Sequence, residues 1–132
     1  MTNFQAINHA LTTTATGGFS TENSSFSNFS QGAKIWAILF MLICSISLFL
    51  YLVIINKRKT SVLKENEEAR WFLVLLISAV ALILINNRNI FDQSSILDTL
   101  FNVVAISTST GYVSGDYDVW PTLSKEILLI LM

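Results

Sequence analysis

Two short stretches of threonine, serine and glycine recur in this chain of 132 residues, and these residue types suit the binding of a monovalent cation. TTTATGGFS ends at Ser20, and STSTGYVS ends at Ser114. A shift of 94 positions aligns four identical pairs: Thr14 with Thr108, Thr16 with Thr110, Gly17 with Gly111, and Ser20 with Ser114. Glycine permits backbone angles that other residues avoid, so successive carbonyls can turn toward one axis and replace the hydration shell of a cation. The repeated phrase therefore predicts a pore lining.

The surroundings of both phrases also favour a cation. No charged side chain occurs from residue 4 to 21 or from 99 to 115, so no fixed charge would trap an ion there. A helix that ends at the phrase would add the partial negative charge of its C-terminus. The simpler alternative is that Gly17, Gly18 and Gly111 are helix C-caps in external turns. We favour the pore because the phrase occurs twice in matching surroundings.

A short helix is predicted before each phrase. The first covers about residues 3–13, with an apolar face made of Phe4, Ile7 and Leu11. The second would be capped by Ser94 or Ser95 and run to about Ser107. Both are too short to cross a bilayer, so each would enter the membrane and return as a loop. Irregular backbone at that depth is tolerated where it lines a water-filled space.

Two long apolar runs lie between the phrases. Residues 35–55 form a run of 21 without a charge, long enough to cross a hydrocarbon core of about 30 Å. Residues 71–85 form a shorter run of 15, which needs flanking residues to reach both interfaces. Only 13% of all residues are charged, whereas soluble domains carry about a quarter. We therefore predict an all-α membrane protein with helices over about residues 32–56 and 69–87.

The distribution of charge predicts the topology. Between the two runs lie the basic residues Lys57, Arg58, Lys59, Lys64 and Arg70. By the positive-inside rule this link is cytoplasmic, which puts both phrases outside. The outer side then carries the acids Glu22, Asp92, Asp98, Asp116 and Asp118. These acids either raise the local cation concentration or are solvated loop residues. The basic cluster that spans residues 56–59 is either a topology signal alone or also a contact for a cytoplasmic partner.

Single residues elsewhere add little functional information. His9 is predicted to be neutral and packed or hydrogen-bonded beside the first short helix, rather than a pH sensor. Asp116 and Asp118 either steer cations or cap a helix whose first position is Pro121. Cys44 is predicted to be a packed, inert thiol. We find no nucleophile–base pair, phosphate loop or nucleic-acid motif, so the sequence predicts neither an enzyme nor a nucleic-acid-binding protein, and no cofactor.

Two long motifs carry a resemblance to a known family. FQAINHALTTTATGGFST and LFNVVAISTSTGYVSGDYDVWP resemble the pore helix and filter of the second and third repeats of the Trk/Ktr/HKT superfamily of potassium transporters, TrkH type. The resemblance implies potassium-channel-like units, each with a membrane helix, a re-entrant pore helix with its filter loop, and a second membrane helix. It also implies potassium as the transported ion and an inner-membrane location.

The resemblance implies a set of filter residues. In the first loop these are Ala15, Thr16, Gly17 and Gly18, and in the second Ser109, Thr110, Gly111 and Tyr112. Gly17 and Gly111 match the filter glycine of the family, so the carbonyls of Thr16 and Thr110 would be the principal potassium ligands. The implied partners are lipid, a second copy of the complete transporter, and a cytoplasmic nucleotide-binding regulatory subunit.

The resemblance also divides the chain. Residues 1–56 would be a pore helix, filter loop and second membrane helix, and residues 57–70 the cytoplasmic link. Residues 71–132 would be the first membrane helix, pore helix, filter loop and start of the second membrane helix of the next repeat. Four filters surround one pore in the family, so we expect this truncated pattern not to conduct alone. The alternative is a non-conducting membrane polypeptide that serves interaction or packing.

Overall fold

All regular structure in the described part of the chain is helical. The structure is a computed structural model, and it describes residues 1–46, 67–87 and 93–132. The α-helices are α1 (Asn3–Thr14), α2 (Gln31–Ser45), α3 (Glu67–Asn86), α4 (Gln93–Ser107) and α5 (Thr122–Leu131), with a 3₁₀ turn at Tyr117–Val119. The boundaries predicted at residues 56 and 57 lie outside the described residues.

Helix α1 confirms the first short helix and ends one residue later than predicted. Thr2 begins it with a capping box, in which Thr2 and Gln5 bond to each other's backbone amides. His9 and Thr13 are buried toward the rest of the chain, whereas Phe4, Ile7 and Leu11 are exposed. The helix therefore presents polar residues inward and its apolar face outward.

Helix α2 corrects the prediction of one continuous helix over residues 32–56. Its N-terminus is capped by Ser30, but the helix ends at Ser45, and Ile46 is extended (φ −72°, ψ 137°). The last turn is tightened, because the Ile46 amide donates to the carbonyl of Ile43 at 3.3 Å. The Ser45 hydroxyl adds a bond to the Leu42 carbonyl at 2.8 Å. Residues 47–56 lie outside the described residues.

Helix α3 confirms the second predicted span. Residues Ala69–Asn86 within it form the one described helix that is long and apolar enough to cross a membrane. Leu76, Ala79 and Ile83 recur at helical spacing and are buried against the other helices. Trp71 and Ile85 are among the large apolar residues that remain exposed.

Helix α4 lies at the centre of the fold and contacts α2, α3 and α5. Phe101, Val103, Val104 and Ala105 are fully buried there. The helix begins at Gln93, so the two serines predicted as caps lie inside its first turn. The residue that caps α4 lies outside the described residues.

The start of α5 also differs from the prediction by one residue. Pro121 is the N-cap, with extended backbone (ψ 151°), and the helix begins at Thr122. The Pro121 carbonyl accepts hydrogen bonds from the amides of Ser124 and Lys125. A residue with an extended ψ stands outside the helix even though its φ is fixed near the helical value.

Candidate functional site: two matched loops after short helices

The ends of α1 and α4 have the same backbone hydrogen bonds. In each helix, three successive amides close the last turn with the same pattern of partners. The pairs in α1 are Ala15 to Leu11 (3.0 Å), Thr16 to Thr13 (3.1 Å) and Gly17 to Thr12 (2.8 Å). The pairs in α4 are Thr108 to Val104, Ser109 to Ile106 and Thr110 to Ala105, all at 2.9 Å. The helix ends therefore correspond at a shift of 93 positions.

The left-handed residues of the two loops follow the same shift. Thr16 (φ 48°) corresponds to Ser109 (φ 56°), and Gly18 (φ 66°) corresponds to Gly111 (φ 79°). Alignment of identical residues at a shift of 94 instead pairs Gly17 with Gly111. The backbone therefore corrects the register of the repeat, because φ, and not residue identity, determines which position requires glycine.

The two loops contact each other through Gly18. A Cβ built on Gly18 would lie 1.9 Å from the carbonyl oxygen of Thr110, closer than any side chain can approach. Glycine is thus required at residue 18 both for its φ and for this contact. The Thr110 carbonyl, predicted as a ligand, lies against the backbone of the neighbouring loop. Gly111 has no such neighbour, since its Cβ would meet nothing within 4 Å.

The predicted filter residues fall into three groups by exposure. Ala15, Gly17, Ser109 and Gly111 are exposed, Thr16 and Gly18 are partly buried, and Thr110 and Tyr112 are buried. The Thr110 hydroxyl is bonded to that of Thr108 at 2.9 Å. A pore on the exposed side of these loops would therefore be lined by small residues and backbone.

The Tyr112 side chain belongs to the wall behind the loops. Its ring packs on Phe26 and Phe101, with centroids 4.6 and 6.5 Å away. Its hydroxyl forms a hydrogen bond with Thr12 and reaches the His9 carbonyl at 3.4 Å. Tyr112 thus joins the second loop to the first short helix, and only its backbone is left for a role in a pore lining.

The first loop is tied to α1 by two polar side chains one turn apart. His9 is buried and bonds to the Ser20 hydroxyl at 3.0 Å through Nε2 and to the Gln5 carbonyl at 2.7 Å through Nδ1. Gln5 donates through Nε2 to the carboxylate of Glu22. The edges of Phe26 and Phe29 pack on the His9 ring. The prediction of a packed, hydrogen-bonded histidine is confirmed.

The second loop is tied to α4 at the equivalent positions, Asp98 and Asn102. Asn102 accepts a bond from the Ser114 amide at 2.9 Å and donates to the Gly115 carbonyl at 3.0 Å. Asp98 accepts a bond from the Ser114 hydroxyl. A Cβ on Gly115 would lie 3.0 Å from that of Asp98, so the loop passes close to the helix. Both loops are therefore held from behind by residues four apart on their own helix.

Sequence reasoning missed the ion pair that completes this second support. Lys34 of α2 donates from Nζ to Oδ1 of Asp98 at 2.7 Å, and its side chain is only 9% exposed. Of the two residues, Asp98 was predicted to be one of the outer acids. One feature of the sequence could have indicated that Lys34 has a partner, because it lies directly before the uncharged run that begins at Ile35.

Three of the outer acids in the described part of the chain, Glu22, Asp98 and Asp116, have side-chain partners. Asp116 is exposed and accepts a bond from the Asp118 amide at 2.9 Å, so it caps the 3₁₀ turn rather than the helix after Pro121. Glu22 and Asp98 are bonded as described above. No group of three histidine, cysteine or acidic residues that could hold a metal occurs among the described residues. Asp92 lies outside them.

The fold and the loops define an all-α membrane protein with a repeated helix–loop unit. The chain belongs to the TrkH family of cation transport proteins, whose pattern matches residues 1–132. This match confirms the resemblance stated from the two motifs.

Individual relatives agree with the family. The Trk system potassium uptake protein TrkI of Halomonas elongata is 31% identical over 123 residues, which cover 91% of this chain and 25% of TrkI. TrkH of the same organism is 30% identical over 134 residues, with 96% and 27% covered. The crystal structure of the potassium transporter TrkH from Vibrio parahaemolyticus matches with a TM-score of 0.91 at 25% identity, over 99% of this chain and 30% of that one. The chain spans about a quarter of the curated relatives' length.

Proposed function

We propose that this chain supplies two neighbouring quarters of the selectivity filter of a potassium uptake transporter. The observation that carries the proposal is the contact between two loops with one backbone conformation, in which Gly18 lies against the Thr110 carbonyl. Equivalent loops that contact side by side are what a ring of filter loops around one axis requires. The relatives TrkI and TrkH of Halomonas elongata are named potassium uptake proteins, which indicates the ion.

The chemistry is coordination by neutral oxygen. The carbonyls of Thr16 and Gly17 in the first loop, and of the corresponding Ser109 and Thr110 in the second, would replace water around a dehydrated potassium ion. The exposed Gly17 and Gly111 would leave room on the axis. The C-terminal ends of α1 and α4 both lead into these loops, so their partial negative charge favours a cation there. No ionised side chain belongs to either loop, so an ion could leave as readily as it enters.

We further propose that the complete transporter lies in the inner membrane with its loops facing outward. The basic residues of the link would face the cytoplasm. There a nucleotide-binding regulatory subunit would bind, and a second copy of the transporter would complete the assembly. These partners follow from the family resemblance and stay predictions.

The test uses a chimera, in which these 132 residues replace the matched stretch of the Vibrio parahaemolyticus TrkH. Gly111→Ser is the informative variant, because a Cβ there meets no atom within 4 Å and the change acts mainly through φ. The left-handed conformation costs a serine about 1–2 kcal/mol, so we expect the second loop to leave this conformation. Its carbonyls would then no longer match a dehydrated potassium ion, and the preference for potassium over sodium should fall. Uptake of both ions into cells that lack other potassium transporters measures it.

The control for this test is Gly32→Ala, since Gly32 also has open space around its Cβ but lies in α2 with an ordinary φ. It should leave selectivity unchanged. If Gly111→Ser leaves both selectivity and rate unchanged, the filter assignment is wrong. The rival reading, a non-conducting polypeptide that serves membrane packing, would then be preferred.

A further inference from the structure

The supports behind the two loops differ in charge although they occupy equivalent positions. On α1 the supporting residues are Gln5 and His9, and on α4 they are Asp98 and Asn102. Asp98 is the one position of the four that is acidic. Its charge is met by Lys34, which comes from α2 and therefore follows the first loop in the chain.

The geometry makes Asp98 a junction between the two halves of the chain. One carboxylate oxygen, Oδ1, accepts hydrogen bonds from both the ammonium of Lys34 and the hydroxyl of Ser114. Ser114 is the last residue of the second phrase and lies three residues after Gly111. The Ser114 amide is fixed separately by Asn102. A displacement of Lys34 would therefore shift the Asp98 carboxylate and, through the shared oxygen, the outer end of the second loop.

The burial of the pair gives this junction its strength. The side chains of Lys34 and Asp98 are 9% and 23% exposed, so water competes little for their charges. An ionised pair with low exposure and a charge-assisted bond of 2.7 Å holds its partners more firmly than a neutral bond does. Because the lysine neutralises the carboxylate, Asp98 adds no net charge beside the loop that would attract or trap a cation.

We propose that Lys34 is a positioning residue for ion selectivity, which holds the second loop in register with the first through Asp98 and Ser114. The proposal rests on the proposed function, because it assigns Lys34 a role in the same filter. Register matters here since the Thr110 carbonyl and Gly18 already lie in close contact. A small shift of the second loop would change the distance between carbonyls that must together match one dehydrated ion.

The experiment compares four single variants and one double variant of the same chimera at equal membrane level. Lys34→Met removes the charge and keeps the apolar stem, and Lys34→Arg keeps the charge. Ser114→Ala removes the link between the pair and the loop while the ion pair stays. Lys125→Met removes an exposed lysine that donates to the Asp118 carbonyl and serves as the matched control. Initial rates of potassium and sodium uptake give KM, maximal rate and selectivity for each.

We expect Lys34→Met and Ser114→Ala to lower the potassium-to-sodium preference at least fivefold and to raise KM for potassium. Lys34→Arg should recover most of the preference, and Lys125→Met should match the unmodified chimera. Asp98→Asn combined with Lys34→Met should lose no more than Lys34→Met alone, because the two residues act as one unit.

Two results would overturn the positioning role. One is unchanged selectivity and KM in both Lys34→Met and Ser114→Ala. The other is a loss of maximal rate alone that follows the amount of folded protein, which indicates a structural role. Failure of the proposed function has a different signature, namely an unmodified chimera that reaches the membrane but does not take up potassium.

Discussion

At the residue scale, two adjacent glycines of the first loop have different constraints. Gly18 combines a left-handed φ of 66° with a Cβ position 1.9 Å from the Thr110 carbonyl oxygen. Gly17 has an ordinary φ, and its Cβ would meet the side chain of Phe19 at 3.4 Å and the carbonyl oxygen of Thr12 at 3.8 Å, an ordinary van der Waals contact. Phe19 is 77% exposed and free to move aside. The second glycine of the pair is therefore the one that the backbone requires.

This difference gives a prediction for the chimera. Gly18→Ala should lower the free energy of unfolding by more than the roughly 1–2 kcal/mol of the left-handed conformation alone, because the Thr110 carbonyl must also move. Potassium uptake should be lost with it. Gly17→Ala, the matched control, should stay within about 0.5 kcal/mol of the unmodified protein. Thermal unfolding in detergent and uptake measure both, and equal effects of the two variants would refute the assignment.

At the element scale, helices α3 and α5 are joined by a buried polar cluster at one end of the fold. The Ser124 hydroxyl accepts a bond from Asn86 and donates to Asn87, both at 2.9 Å. Ser124 is fully buried and Asn87 is only 4% exposed. Polar groups with so little exposure need their partners, so the cluster determines how α5 meets the end of α3.

We therefore expect Ser124→Ala to destabilise the chimera by about 1–3 kcal/mol, because it removes both bonds of a buried hydroxyl. The measurement is the unfolding midpoint in detergent. Thr122→Ala, an exposed position in the first turn of the same helix, is the control and should change the midpoint little. A midpoint for Ser124→Ala that equals the control would show that the cluster does not hold the two helices together.

At the scale of the whole molecule, the loops and the start of α3 lie at opposite ends. The end of α3 at Asn86 meets Ser124, just after the 3₁₀ turn that follows the second loop. The start of α3 lies beside the end of α2, where Ile46, Ala69 and Arg70 line an apolar pocket of about 390 Å³. A helix of this length covers about 30 Å between those ends. The fold thus separates the loops from the start of α3 by about one membrane thickness.

This separation predicts the accessibility of the two ends in cells. In a chimera free of native cysteines, including Cys44, a cysteine at Asp116 should react with a membrane-impermeant maleimide from outside. A cysteine at Glu67 should react only after the membrane is opened. Both native residues are exposed, so access to solvent within the chain does not distinguish them. Labelling of both from the same side would contradict the topology derived from the basic residues.

Much of the fold follows from local sequence. The apolar periodicity and turn residues predicted α1, α3 and α4 to within a few residues, because these helices depend on side-chain pattern and local capping. Helix α2 was predicted too long, since an uncharged run shows no stop where Ser45 bonds back to Leu42. The packed state of His9 was also predictable, because it is the single histidine of the chain and lies within a short helix that has no charged residue.

The family, the membrane class and the two repeated phrases could be predicted from the sequence, because they depend on composition and on residue order along the chain. The folded structure was needed to show that Gly18, rather than Gly17, corresponds to Gly111, and that the Tyr112 side chain packs behind the loops. It also paired Lys34 with Asp98. Those outcomes depend on φ angles and on contacts between residues far apart in the chain, which residue identity alone does not fix.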